Sequence, residues 1–233
     1  FLDADDVLVE SALSEQIGQL ELAEPGAIIF GYCYNFVGDI SNFEVYPKVI
    51  REVTEDFLVT LVLKSILISC SLYPRIYLSQ VGGFDAEVTS RQEWALNLKL
   101  LLSGYTFQYF DSLIFYRRLH DSEFRISNRK HQSAVELRNL DAIFGILPSC
   151  CDRNYTAAWS YIYWRTGRYI LINEGRHKAD VFFDRAKNMS PGSYKKYWPK
   201  PYRIVASVLG LYVTERGYSA LMNFSNWLRY RKL

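Results

Sequence analysis

The segment Phe1-Leu2-Asp3-Ala4-Asp5-Asp6 holds two aspartates separated by a single residue. The apolar lead-in reads as a buried strand, and residues i and i+2 of a strand point to the same side. Asp3 and Asp5 are therefore expected to present two carboxylates together where that strand stops. Such a pair suits a hard divalent cation, Mg²⁺ or Mn²⁺, which takes oxygen ligands and commonly combines one or two protein carboxylates with the phosphates of its substrate. The same residues also fit a plainer role, in which Asp5 or Asp6 caps the following helix and Asp3 is a solvated strand end.

A second carboxylate, Glu93 in SRQEWALNLKL, falls in the first turn of an expected helix, where the helix dipole favours negative charge. A general base that takes a proton from a sugar hydroxyl needs a carboxylate fixed by its backbone and facing a cleft. Ser90 three residues earlier completes a Ser-x-x-Glu capping box, which accounts for Glu93 with no catalysis at all. The third candidate is His120 in FYRRLHDSE, beside Arg117 and Arg118. A neutral imidazole can ligate a metal, and arginines grip phosphate oxygens in a bidentate way. His131 and His177 have no such neighbourhood and are assigned no role.

These residues need elements to hold them. The spacing of Leu8, Leu13, Ile17 and Leu20 predicts a helix that ends before Pro25-Gly26. AIIFGYCY at 27–34 reads as a short buried strand, 35–56 as a mixed polar connection, and Ile66 to Leu72 as a strand. Pro74 opens a short helix to about Gln80, which Gly82-Gly83 stops, and Ser90 opens another to Leu102. Tyr105 to Tyr116 predicts two aromatic strands around Asp111-Ser112. From Gln132 the pattern is helical: 132–147, 153–167, 173–188 and 201–213, broken by Pro148, Gly167, Ser190-Pro191-Gly192 and Pro199-x-Pro201. A boundary is expected near 130, giving regions 1–130 and 131–233. The strand and helix alternation of the first predicts an α/β layer with mixed strands.

Composition sets the outer bounds. With 49% hydrophobic and 22% charged residues the chain can build a real core. Its 27 basic against 25 acidic residues, a net charge of +2, give no field that argues for nucleic acid. Cys33, Cys70, Cys150 and Cys151 form no CxxC or metal-finger spacing, which fits a reducing cytosol. No run reaches the roughly 18 apolar residues that span a bilayer. The chain opens inside what reads as a strand, so it is expected to be an excerpt of a longer polypeptide.

Three motifs in order carry a resemblance: FLDADD, then VGGFDAEVTSRQEWALNLKLLLSGYTFQYF, then YRRLHDSE. Over about residues 1–127 the chain resembles the family 2 glycosyltransferases of the GT-A fold, from their metal-binding Asp-x-Asp strand onward. The resemblance implies a partial GT-A domain with a mixed sheet over 1–130, followed by an α-helical extension over 131–233, with the nucleotide-binding half preceding Phe1. It implies an inverting transfer from a nucleotide-diphospho-sugar to a glycan or lipid-linked acceptor, as in polysaccharide biosynthesis, in the cytoplasm or at the inner face of the membrane. Asp3 would meet the ribose or sugar side of the donor, and Asp5 and His120 would hold Mg²⁺ or Mn²⁺. Arg117 would contact the donor, Glu93 would be the general base, Gly83 and Phe84 would shape the acceptor side, and Trp94 would pack beneath the base. The chain departs from the family pattern in having Glu at 93, where Asp is common, and Lys99, where Arg is common. Without the preceding half, this stretch alone is expected to be inactive.

Rival chemistries share some of these residues. A haloacid-dehalogenase-type phosphatase also starts from Asp-x-Asp after a buried strand, and Val7 stands where that family has Thr or Val. Gly38-Asp39 comes too early for its late acidic pair. A two-carboxylate glycosidase needs a defined carboxylate separation, which spacing does not supply. A non-catalytic binding domain of the same shape is distinguished by loss of Asp3, Asp5, Glu93 or His120, and all four are present. In the helical region, Tyr194 to Trp198 and Trp227 to Lys232 mix aromatic and basic residues, which suits either a peripheral membrane contact or the region's own packing.

Overall fold

The computed structural model describes residues 1–42, 46–47, 56–119, 132–146, 153–198, 200–210, 212–215 and 217. It divides into two compact units, Phe1–Ser149 and Cys150–Leu233.

The first unit is an α/β structure around a five-stranded mixed sheet. Its central strand is β2 (Ala27–Val37), the AIIFGYCY run and three further residues. Ala27, Ile28, Ile29 and Phe30 are buried, as a near-continuous apolar run demands when both faces of a strand are covered. β5 (Thr106–Leu119) runs parallel to β2 along one edge, and β1 (Val7–Leu8) pairs antiparallel with the outer edge of β5. On the other edge of β2, β4 (Ser71–Leu72) pairs with Ile29 and Phe30, and β3 (Tyr46–Pro47) with Tyr34 and Asn35, both antiparallel.

The two aromatic strands expected around Asp111-Ser112 are one strand. Its register against β2 slips between Phe30 and Cys33, so the irregularity bends β5 without ending it. Gly31 sits at that slip. A Cβ there would lie 2.4 Å from the Ser112 carbonyl oxygen and 2.7 Å from Ile114 Cγ1, so no larger residue fits.

The helices differ from the periodic expectation in their buried faces. α1 (Ala12–Leu22) buries Ala12 and Gln16 and leaves Leu13 and Ile17 exposed. The Gln16 amide donates to the Cys70 carbonyl at 3.1 Å, a tertiary partner that makes burying a polar side chain favourable. α2 (Phe57–Leu63) is started by Asp56, whose carboxylate accepts the Val59 N–H at 3.2 Å. Of the strand expected over 66–72 only Ser71 and Leu72 pair, because Ile68–Cys70 winds into a 3₁₀ turn. α3 (Arg75–Gln80) begins after Pro74 and is stopped by Gly82 and Gly83 at φ 75° and 65°. α4 (Gln92–Leu102) follows. Cys33 and Cys70 are buried cysteines outside any disulfide; Cys150 and Cys151 lie outside the described residues.

The compact units part between Ser149 and Cys150. α5 (Ser133–Gly145) belongs to the first, because the carboxylate of buried Glu136 takes the Arg91 guanidinium at 2.9 Å. Helical periodicity made 132–147 look like the helices beyond it; a half-buried ion pair ties Ser133–Gly145 to the sheet unit.

The second unit is helical: α6 (Arg153–Glu174), α7 (Arg176–Met189), a 3₁₀ turn (Ser193–Tyr197) and α8 (Lys200–Leu209). Its core is aromatic, with Trp159, Tyr163, Trp164, Phe182 and Phe183 fully buried. Gly167 does not break α6. It is the point where α7 comes close, since a Cβ there would sit 2.9 Å from Phe183 Cε1. Glu215 is buried against Arg168 Nε at 2.6 Å and also accepts from the Tyr202 hydroxyl. No helix among the described residues is long and apolar enough to cross a membrane.

Candidate functional site

The Asp-x-Asp segment is not a strand. Residues 1–6 precede the ladder, which starts at Val7, and the Asp6 N–H closes a turn onto the Asp3 carbonyl at 3.1 Å. Phe1 is 61% exposed. The turn therefore gathers the carboxylates instead of strand alternation, and it gathers three. One ligand oxygen from each of Asp3, Asp5 and Asp6 lies within 4.8 Å of the others. Asp6 was legible only as a helix cap; here it joins the cluster.

β5 holds this turn through Arg118. Its backbone N–H donates to Asp6 Oδ1 at 2.9 Å, its Nε donates to the Asp5 carbonyl at 3.1 Å, and Nη1 donates to the Gly38 carbonyl. The guanidinium also lies over the Phe36 ring, 4.5 Å from its centroid. Burial raises the Asp6 carboxyl above its ordinary value; the Arg118 N–H opposes this, and the charges of Asp5 and Asp3 add to it. Three crowded carboxylates of this kind are the donor set a hard cation takes.

Glu93 is not engaged in a capping box. The Ser90 hydroxyl instead accepts from Asn139 Nδ2 at 2.8 Å, and Arg91 at the helix start takes a left-handed φ of 63°. That conformation is uncommon outside glycine and is held here by the Arg91–Glu136 pair. Burial is the largest influence on the Glu93 carboxyl and raises it above its ordinary value. Its own backbone N–H lowers it, the charge of Asp3 raises it, and that of Arg117 lowers it. Glu93, Asp3 and Arg117 thus share one electrostatic neighbourhood, although 90 and 114 positions separate Asp3 from the other two.

Aromatic residues border this neighbourhood. The Phe84 ring meets Phe1 edge-on at 5.6 Å, and Phe1 meets Tyr73 at 6.1 Å. The Tyr73 hydroxyl donates to Asn97 Oδ1 at 2.8 Å, and Asn97 Nδ2 donates to the Ile66 carbonyl at 3.1 Å. Burial pushes the Tyr73 hydroxyl well above the usual phenol range, and the Glu93 charge contributes. Asp85, next to Phe84, pairs with Lys99 at 3.7 Å. Gly83 turns the chain so that Phe84, 43% exposed, stands beside the residues leading into Asp3.

Trp94 has a different place from its neighbours. It is buried, and its indole N–H donates to the Leu61 carbonyl at 2.8 Å. It supports α4 from within. His120 lies outside the described residues. The site that the structure assembles is Asp3, Asp5, Asp6, Glu93 and Arg117, with Phe84 beside it. Sequence spacing missed Tyr73 and Asn97, read Asp6 only as a helix cap, and read Arg118 only as a phosphate contact beside His120. A third acid in DADD and a lone Asn in an apolar helix were the available signals for Asp6 and Asn97; nothing in the sequence marked Tyr73. Comparison with known proteins finds no family model and no curated protein that matches this chain.

Proposed function

We propose that this chain forms the metal and acceptor side of an inverting glycosyltransferase of the GT-A fold, moving a sugar from a nucleotide-diphospho-sugar to a hydroxyl of a glycan or glycolipid. What supports this most is the desolvated Glu93 carboxyl, within reach of the charges of Asp3 and Arg117. Asp3 belongs to the three-carboxylate turn.

Asp3, Asp5 and Asp6 would hold Mg²⁺ or Mn²⁺, which when bound supplies charge neutralisation for the donor diphosphate. Glu93 takes the proton of the acceptor hydroxyl, and a carboxyl whose proton affinity burial has raised is the better base. The hydroxyl oxygen bonds to the anomeric carbon as the bond from that carbon to the nucleoside diphosphate breaks on the opposite face, so configuration inverts. Arg117 adds a cation on the side where the leaving group gathers charge. Phe84 and Phe1 offer ring faces and edges against which a sugar can rest.

The test is nucleotide release from a panel of nucleotide sugars, with Mn²⁺ or EDTA, by the 233-residue chain and by the longest natural polypeptide that contains it. Metal-dependent release that Asp5→Asn and Glu93→Gln both abolish is expected. Folded protein that releases nothing from any donor, yet binds glycans, would instead make this a non-catalytic binding domain.

A further inference from the structure

The second unit carries an exposed feature that sugar transfer does not use. α8 touches the aromatic core of its unit through Tyr202, buried against Trp164 and Trp198. Another face of the same helix is aliphatic and open: Ile204 is 65% and Val208 77% exposed, one turn apart, with Val205 and Leu209 as a second exposed pair alongside. Two adjacent i, i+4 pairs make a continuous apolar stripe on a helix surface. Exposed Lys200 lies one turn before Ile204, and exposed Arg203 lies beside it.

Charge decides what such a face suits. From Arg185 to Leu233 there are ten Lys and Arg residues and a single acid, Glu215. That acid is buried and already paired with Arg168. On α8 itself Lys200 and Arg203 are exposed and there is no acid, so the helix that bears the stripe is cationic. A second copy of the chain would bring like charges together, which disfavours self-association. Nucleic acid would satisfy the cations but leave the aliphatic stripe in water. An anionic bilayer surface satisfies both, because an amphipathic helix lies in the interface with its apolar side among the acyl chains and its cations at the headgroups.

We propose that α8 docks the protein on anionic lipid membranes, lying in the plane of the interface. The absence of any spanning helix among the described residues accords with a helix that lies on a bilayer. This inference is independent of sugar transfer, since vesicle binding is read without any nucleotide sugar.

The test is co-flotation of the full chain with vesicles of phosphatidylcholine alone or of phosphatidylcholine with phosphatidylserine. Binding is expected only with phosphatidylserine and should weaken as salt rises. The paired substitutions Ile204→Glu with Val208→Glu, and Lys200→Glu with Arg203→Glu, should each lower partitioning by about tenfold or more. All four residues are exposed, so both variants should keep the wild-type circular dichroism spectrum and unfolding midpoint. Failure to bind either vesicle overturns the proposal. So does binding that both variants retain, which would put the lipid contact elsewhere. A dimer by light scattering that the Ile204→Glu, Val208→Glu variant splits would show that a second copy covers the stripe, and would overturn it as well.

Discussion

Asn139 on α5 donates from Nδ2 to the Ser90 hydroxyl at 2.8 Å and accepts the Thr89 N–H on Oδ1 at 3.2 Å. One fully buried amide thereby fixes the turn from which Glu93 projects. Asn139→Ala removes these bonds and leaves buried polar groups unpaired, at a cost of about 1–3 kcal/mol. Denaturant unfolding should record that loss. Nucleotide release should fall while Mn²⁺ affinity, set by the turn at 3–6, stays the same.

Glu93→Gln should separate stability from activity. The Glu93 carboxyl is raised by burial above its ordinary 4.5, so the folded chain keeps a proton that the unfolded chain has already lost. Stability then declines as pH rises from that ordinary value through the raised one. Glutamine removes the decline, so its thermal midpoint at neutral pH should equal or exceed that of the wild type. A base must be ionised, so wild-type release should fall as pH drops through the raised value. The variant should release nucleotide about a hundredfold more slowly, or worse, at every pH.

Two substitutions at Asp6 distinguish the hydrogen bond from the charge. Asp6→Asn keeps an oxygen to accept the Arg118 N–H, so the turn should persist and Mn²⁺ affinity should drop about tenfold. Asp6→Ala loses the bond as well and should further destabilise the chain by about 1 kcal/mol. Titration calorimetry with Mn²⁺ and thermal unfolding of both variants read these effects apart.

Gly31 and Gly18 should respond oppositely to alanine. At Gly31 the added methyl meets the Ser112 carbonyl oxygen at 2.4 Å, a backbone atom that cannot move aside cheaply. Gly31→Ala is expected to cost about 3 kcal/mol or more. Gly18 lies inside α1 with nothing within 4 Å of its would-be Cβ. Gly18→Ala should add about 0.5–1 kcal/mol. Unfolding midpoints of the two variants check both signs.

The sequence by itself determined the elements whose signals are local. The apolar run at 27–34 made a buried strand because both faces of β2 are covered. Pro74 and Gly82-Gly83 bounded α3 because proline and glycine act on their own backbone. Helix-period patterns foretold that the second unit is helical, but not that α6 runs on through Gly167 to Glu174. Tertiary structure alone decided the rest, since those choices depend on partners far along the chain. Ser90 and Glu93 have the spacing of a capping box, yet Asn139, 49 residues on, takes the serine. Asp3 and Asp5 have the spacing of a strand pair, yet Arg118, over 110 residues on, holds a turn and brings in Asp6. A hydrogen bond from a distant element outweighs a local preference when it satisfies a group that burial would otherwise leave unpaired, and no window of sequence contains both partners.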